Sequence, residues 1–195
     1  MLQLVGYISA ILSIASVAPY IRDIISRKTI PERASWFIWS VLGAIMFFSQ
    51  LSKGANESLW FTAGQTIAVC AVFFLSLHFG TGGFIRRDYY SLTIAGLGLY
   101  LWFITSDALY AMVLTILVDA SGAILTIIKS YQEPETETIS TWVISGTSGL
   151  FGMLAVGAWN PILLYYPLYI ACVNFIIASA ILMGKWKKET LLHQL

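Results

Sequence analysis

Residues 4–21 read LVGYISAILSIASVAPYI, eighteen consecutive positions without a charge, and the charged cluster Arg22, Asp23, Arg27, Lys28, Glu32 and Arg33 follows directly. A helix needs about 17 to 25 apolar residues to cross the hydrocarbon core of a bilayer, and this stretch has that length. Within it, Ala15-Ser16-Val17-Ala18 has the small-x-small form of a signal-peptide cleavage site. However, no basic residue precedes the stretch, Pro19 would become the first mature residue, and the basic cluster lies on the C-terminal side. The segment therefore reads as a retained membrane helix.

The rest of the chain has the same texture. Of its 195 residues, 58% are hydrophobic and 11% charged, with a mean hydropathy of +0.78, whereas a soluble domain carries roughly 25% charged residues. Six further apolar segments, at 34–51, 58–78, 91–106, 108–128, 139–159 and 161–183, are bounded by charges, polar tips and Pro/Gly clusters. This predicts an all-α membrane protein of seven transmembrane helices in a single domain, followed by a cytoplasmic tail over 184–195. Segment 91–106 is short, and only Asp107 separates it from the fifth, so it reads as a linker helix. The net charge of +1, with basic residues at segment ends and in no single patch, gives no sign of a nucleic-acid partner. Cys70 and Cys172 fall inside apolar stretches, where cysteine behaves as a small hydrophobe.

Orientation follows from the positive-inside rule. Arg22, Arg27, Lys28, Arg33, Arg86, Arg87, Lys129, Lys185, Lys187 and Lys188 collect on one side and only Lys53 on the other. That asymmetry puts the N-terminus outside and the C-terminus in the cytoplasm, as an odd number of spans requires, with the plasma (inner) membrane as the expected location. Trp36, Trp60, Trp142, Trp159 and Trp186 lie near proposed helix ends, where amphipathic rings anchor in the headgroup layer.

Segments one to three laid on segments five to seven pair Tyr7 with Tyr110, Pro19 with Gly122, Pro31 with Pro134, Glu32 with Glu135, Trp36 with Trp142 and Gly43 with Gly149. Each half then reads as a helix interrupted by a flexible residue, a charged loop with Pro-Glu, a Ser-Trp or Thr-Trp helix start, and a return. The odd fourth helix gives both halves the same orientation. The expected domain is thus two parallel three-helix repeats, 4–78 and 108–183, joined by the linker.

With Val17-Ala18-Pro19-Tyr20 and Pro31-Glu32-Arg33-Ala34-Ser35-Trp36, this layout resembles the SWEET and PQ-loop superfamily of seven-helix membrane proteins. Tyr20 stands where that family's Gln would lie, and Gly122-Ala123 replaces the second Pro-Gln pair. The resemblance implies a three-plus-one-plus-three fold. Its relatives include sugar facilitators, proton-coupled amino-acid exporters, vitamin transporters and a peptide-retrieving receptor.

Polar side chains within hydrocarbon are costly and face a partner, a cavity or a pathway. Asp119 is the one carboxylate in mid-segment, where an ionised acid costs about 2.5 to 3.5 kcal/mol on insertion scales. It reads either as a proton-coupling and substrate residue or as a helix-packing hydrogen-bond donor. Laying Trp60 on Tyr169 matches Gln65 with Asn174. The resemblance nominates this amide pair for substrate, since an asparagine from each of these helices contacts sugar in the SWEET family; interhelical hydrogen bonding is the alternative. Ser16 and Ser148 complete the expected lining. The ligand-stacking tryptophans of the family have no clear counterpart, with Phe47, Phe48 and Met153 the nearest substitutes. Pro19, Gly122 and Pro167 interrupt their helices as hinges or as tolerated kinks.

The run Ser145-Gly146-Thr147-Ser148-Gly149-Leu150-Phe151-Gly152 has small residues at the spacing of close helix packing. It also contains the Gly-x-Ser-Gly of intramembrane serine proteases. A serine nucleophile needs a base in reach, and His78 and His193 both lie away from mid-membrane. The chain therefore does not read as an enzyme. No Cys/His/carboxylate cluster suggests a metal, no interior lysine in the seventh segment suggests retinal, and no Gly-rich loop suggests ATP, so no cofactor is expected. The expected partners are a small-molecule substrate and the lipid bilayer, with room for a homo-oligomer. The composite reading is a transporter or facilitator for a small polar solute (sugar, amino acid or vitamin-like) working by alternating access and proton-coupled through Asp119. The alternative is a seven-helix receptor or sorting protein on the same scaffold. A receptor for an acidic ligand would carry basic residues in mid-segment, and none is there.

Overall fold

A computed structural model describes residues 2–52, 57–82, 86–104, 108–155 and 161–192; side chains over 45–65 and 108–115, Gln65 among them, lie outside the description. The described chain is helical: α1 (Leu2–Ile25), α2 (Arg33–Ser52), α3 (Glu57–Phe79), α4 (Arg86–Ile104), α5 (Ala108–Gln132), a short 3-10 helix (Pro134–Thr136), α6 (Ile139–Ala155) and α7 (Pro161–Leu192). No extended strand occurs among the described residues, only a single bridge between Glu32 and Thr81. Two helices, over Leu4–Ile25 and Pro167–Leu191, are long and apolar enough to cross a membrane, and the apolar stretches Thr66–Phe79 and Ile139–Ala155 are shorter.

The helices close into a ring. Among the described residues α1 packs on α3, α3 on α2, α2 on α5, α5 on α7, α7 on α6, and α6 returns to α1, while α4 lies outside the ring against α5 with a small contact to α2. Going round, α1, α3 and α2 are followed by α5, α7 and α6, so α5, α6 and α7 hold places corresponding to α1, α2 and α3. Leu92 of α4 packs against Ile38, Leu42 and Val118, which fastens this helix to the α2–α5 seam.

Burial runs against the usual pattern of water-soluble proteins. The buried stripe of α1 is Ser9, Ser13, Ser16, Tyr20 and Ile24, while Leu4, Tyr7, Ile11, Ile14 and Ile25 are exposed. On α5 the exposed large side chains are Leu117, Ile124 and Tyr131, seven apart, whereas Asp119, Ser121, Thr126, Lys129 and Ser130 are buried. On α6 Val143, Leu150 and Leu154 face outward, and Thr141 and Ser148 inward. Charged side chains in a soluble fold are almost never fully buried.

The α6 glycines carry the contact with α7. A Cβ on Gly149 would sit 2.8 Å from both the Ala171 nitrogen and the Pro167 carbonyl oxygen, and one on Gly146 would meet the Phe175 ring at 3.1 Å. Backbone atoms cannot give way as a side-chain end can, so Gly149→Ala is expected to destabilise the fold by about 1–3 kcal/mol or more through overpacking. Gly96→Ala on α4, where an added Cβ meets nothing within 4 Å, is expected to be neutral or to stabilise by up to about 1 kcal/mol. Thermal unfolding of the two purified variants in one detergent checks the contrast.

α1, α5 and α7 run on in helix through Pro19, Gly122 and Pro167, the positions expected as hinges or tolerated kinks. Gly122 also allows close approach of α2, since an added Cβ would meet Ile38 and the Trp39 indole nitrogen at 3.4–3.5 Å. The segment expected as a tail continues α7 in helix through Leu192. Gly184 is pressed so closely to the α5 end that a Cβ would come within 2.5 Å of the Tyr131 carbonyl, and Lys188 pairs with Glu135 at 2.7 Å. Trp36 and Trp142 are buried inside the ring, 3% and 4% exposed, and do not anchor at its surface. Each stands on the inward face of its helix, and position along a helix says nothing of face. Trp186 is exposed; the side chains of Trp60 and Trp159 lie outside the described residues.

Candidate functional site

The interior of the ring is organised in layers along α5. Asp119 and Lys129 are ten residues apart on its buried side, which a rise of 1.5 Å per residue spaces by about 15 Å.

The first layer holds Asp119, 8% exposed. The Tyr169 hydroxyl of α7 donates to its Oδ2 at 2.6 Å. The indole N–H of Trp39 on α2 is adjacent to the same carboxyl but closes no hydrogen bond, and the Trp36 indole N–H is likewise buried without a partner. Three helices thus meet at one acid with the unused Trp39 donor beside it, a distinctive arrangement because buried polar groups are normally paired, while the Trp36 indole nitrogen is adjacent to the Tyr20 hydroxyl.

The second layer is aromatic. Tyr20 of α1, Trp36 and Trp39 of α2 and Trp142 of α6 form a continuous cluster. Tyr20 lies 5.1 Å from Trp36 and 5.8 Å from Trp142 between ring centroids, and Trp142 is 6.2 Å from Trp36 and 6.1 Å from Trp39. Such tilted and edge-on pairs contribute about 0.5–1.5 kcal/mol each beyond their buried area. Trp36 and Trp142 each touch the other three rings, and Tyr20 packs against both of them.

The third layer is ionic. Lys129 Nζ donates to Glu137 Oε1 at 2.7 Å, to the Thr136 carbonyl at 3.0 Å and to the Ile30 carbonyl, so all three of its donors are used. Glu137 also accepts from the Tyr20 hydroxyl at 3.3 Å and from Trp142 Nε1 at 3.1 Å. Burial pushes the Glu137 carboxyl up from its ordinary range, opposed by the Lys129 ammonium and by the indole and phenol donors. Around this pair, Ile30 N donates to the Thr136 carbonyl at 2.9 Å, the hydroxyls of Thr29 and Thr138 touch, and Thr138 donates to Asp23 Oδ2 at 2.9 Å. On the other seam Ser35 N donates to Glu32 Oε2 at 2.7 Å, capping α2. The Ser35 hydroxyl accepts from Thr126 at 2.9 Å and has one proton for either Glu32 Oε2 or the Gly122 carbonyl. Arg33 is tied to backbone carbonyls of Ser76, Gly80 and Gly82 at the end of α3. Two cations of the basic cluster are therefore internal parts, while Lys188 is a surface one that holds the exposed Glu135 carboxyl below its ordinary range.

The remaining expected residues are dispersed. Ser16 is buried on α1 and donates to its own helix, to Ser13 O at 2.7 Å. Ser148 and Ser9 exchange hydroxyl-to-carbonyl hydrogen bonds at 2.9 Å each way, a clasp between α6 and α1, so the hydroxyl of the protease-like tetrapeptide is engaged. Asn174 is buried and its Nδ2 donates to Ile170 O at 2.8 Å. Among the described residues Ser16, Asp119, Ser148 and Asn174 are bonded to other groups and not to one another. Gln65 lies on α3 with its side chain outside the description, as do those of Phe47 and Phe48. The close contacts of Gly43 with Thr66 and of Gly149 with Ala171 match Thr66 with Ala171 and so Gln65 with Ile170. That register is one turn from the one that matched Gln65 to Asn174. The same packing makes Glu137, buried beside Tyr20 and Trp142, the counterpart of buried Glu32, and leaves Glu135 on the surface.

Sequence reasoning missed Trp39, Tyr169, Tyr20, Lys129 and Glu137. No group of three or more His, Cys, Asp or Glu side chains that would hold a metal ion occurs among the described residues. No protein-family model, curated protein or solved structure matches the chain.

Proposed function

We propose that the chain is a seven-helix membrane transporter for a small polar solute, built as two parallel three-helix repeats with α4 as linker, on the plan of the SWEET and PQ-loop superfamily. The observation that carries this reading is the Asp119 layer: a buried carboxyl bonded across helices to Tyr169, with the unpartnered Trp39 indole beside it. A polar solute would supply an acceptor for that donor, and the indole face would stack on it. The sugar, amino-acid or vitamin-like class suits such a site, with Asn174, Ser16, Ser148 and Gln65 as further lining as the solute moves.

The burial pattern supports a lipid surround, because the outward faces of α1, α5 and α6 carry Leu, Ile, Val and Tyr while Ser9, Ser13, Ser16, Asp119, Ser121, Lys129 and Ser148 point inward. The ring order supports the repeat, since each contact within α1–α3 has its counterpart within α5–α7. The apolar helices Leu4–Ile25 and Pro167–Leu191, of 22 and 25 residues, are sufficient for a hydrocarbon core of about 30 Å. In this reading the N-terminus is outside, the C-terminus cytoplasmic, and the membrane the plasma (inner) membrane. Lys129 and Arg33 are engaged by the protein itself, which leaves no interior cation for an acidic ligand and favours transport over a receptor.

A reporter fused after Lys188 is expected to read cytoplasmic and one between Lys53 and Ser58 external; the reverse pattern overturns the topology. Function is tested by thermal stabilisation of the purified protein against sugars, amino acids and vitamins. Solute at a hundredfold its Kd is expected to add about 2.7 kcal/mol, and protein in which Trp39 is replaced by Phe should lose most of that gain. Stabilisation that survives this substitution unchanged removes the indole from the site.

A further inference from the structure

We propose that the outer corner between α5 and α7 at the basic end binds an anionic phospholipid, with the phosphate on Lys187 and the acyl chains along the outward faces of the two helices. The inference rests on the membrane reading and is independent of the solute.

Two outward rows lead to this corner. On α7, Cys172, Ile176, Ser179, Met183 and Lys187 are all exposed, and their steps of three and four keep them on one face of the helix. On α5, Leu117, Ile124 and Tyr131 form the exposed row. The rows meet where the Lys187 ammonium lies over the Tyr131 ring, 5.1 Å from its centroid. Lys187 is thus the first charge on a face that carries none before it. About twenty residues from Pro161 cross a hydrocarbon core of about 30 Å, so α7 enters the headgroup layer near Ile181. Exposed Trp186 lies at that level, where amphipathic rings settle.

A cleft of about 270 Å³ opens here, lined by Tyr131, Gln132, Gly184, Lys187, Lys188 and Leu191. Its floor is held firmly, because Gly184 presses on the Tyr131 carbonyl and Lys188 grips both Glu135 oxygens, at 2.7 and 2.8 Å. The Lys188 charge is therefore already matched. The ion pairs among the described residues are Lys129–Glu137 and Lys188–Glu135, which leaves Lys187 with a neutral ring as its partner. All three of its donors are open to an anion. A phosphodiester supplies the negative charge and the acceptors, and basic pockets between membrane helices on the cytoplasmic side take acidic headgroups. A zwitterionic headgroup would bring a second ammonium toward Lys187 and Lys188. A free phosphate ester would lack the chains that cover the α5 and α7 rows. Charge and apolar surface together select an anionic diacyl lipid.

The purified protein in a neutral maltoside is titrated with phosphatidylglycerol, and bound lipid is read by native mass spectrometry. Phosphatidylcholine and glycerol phosphate are the parallel arms. Phosphatidylglycerol is expected to bind about tenfold more tightly than either, as one charge-assisted hydrogen bond would give. Lys187→Gln is expected to lose that preference, and Lys187→Arg to keep it, since arginine also pairs with phosphate. Lys185→Gln makes the same charge change two residues away, outside the cleft lining, and is expected to shift binding by less than about twofold. Equal binding of the two lipids overturns the site, as do equal losses in Lys185→Gln and Lys187→Gln. Glycerol phosphate binding as tightly as the lipid makes the occupant a soluble ester and overturns the lipid assignment. A protein that stays in carbonate-washed membranes yet shows no preference overturns the site alone, whereas one recovered in the soluble fraction overturns the membrane reading.

Discussion

Lys129→Met is expected to lower the unfolding free energy by about 3–5 kcal/mol, the largest single-residue stability effect in this molecule, because it strands a carboxylate in the protein interior. Glu137 is fully buried and its remaining contacts, Tyr20 at 3.3 Å and Trp142 at 3.1 Å, are neutral donors. Neutral donors do not replace a cation at 2.7 Å. The loss has a second part, since the Ile30 carbonyl also loses this donor, and an unsatisfied buried acceptor costs about 1–3 kcal/mol, whereas the Thr136 carbonyl keeps the Ile30 N–H. Removing both charges in Lys129→Met/Glu137→Met is expected to restore much of the deficit, since well-packed apolar replacements of buried pairs are often neutral or stabilising. The coupling between the two substitutions, read from thermal or denaturant unfolding in a fixed detergent, is the deciding quantity. Additive losses would mean that the pair contributes no more than the separate packing of its members.

The contrast between Lys129 and Lys188 shows what a sequence can and cannot disclose about such residues. Both are lysines near the basic end of a predicted segment, and a count of basic residues treats them alike. Only the azimuth on the helix distinguishes them, and azimuth depends on which faces the neighbours cover. The helices themselves were legible because their limits follow from chain chemistry. Charges, Pro and Gly bound the apolar runs, and α1, α2, α3 and α5 begin and end within a few residues of them. The exceptions are the start of α4, which begins at Arg86 and takes in Arg87 and Asp88 ahead of the apolar run, and the far end of α7, where a run of Lys and Glu reads as a tail. There the helix continues because Gly184 packs on α5 and Lys188 reaches Glu135. Asp119 was legible as a site because a lone mid-segment acid is anomalous by itself. Its neighbours Tyr169 and Trp39 were not, since tyrosine and tryptophan in an apolar run read equally well as lipid-facing. One signal was available: Trp36 and Trp39 are three apart, with Ser35 and Ser40 beside them, a polar and aromatic stripe on a helix otherwise rich in aliphatic residues.

Asp119→Asn is expected to leave solute exchange down its own gradient intact while abolishing the response to an imposed pH gradient. The carboxyl is the one titratable acid in the layer where α2, α5 and α7 meet, and Ser16 holds the corresponding place on α1, so the second half alone carries the acid. Asparagine keeps the shape and an acceptor for the Tyr169 hydroxyl, which lies 2.6 Å from Oδ2, but it cannot take up or release a proton. Tyr169→Phe separates positioning from titration. It removes the donor that orients the carboxyl and leaves the acid in place, so pH-gradient response should persist with weaker solute binding. Both variants, reconstituted in vesicles with either inside or outside acidified, provide the measurement. Steady-state accumulation in the unaltered protein should approach about tenfold along the gradient if one proton moves with each solute across about one pH unit, which supplies about 1.36 kcal/mol. Identical pH profiles in the unaltered protein and in Asp119→Asn would remove the coupling role and make Asp119 a residue of helix packing, bonded to Tyr169.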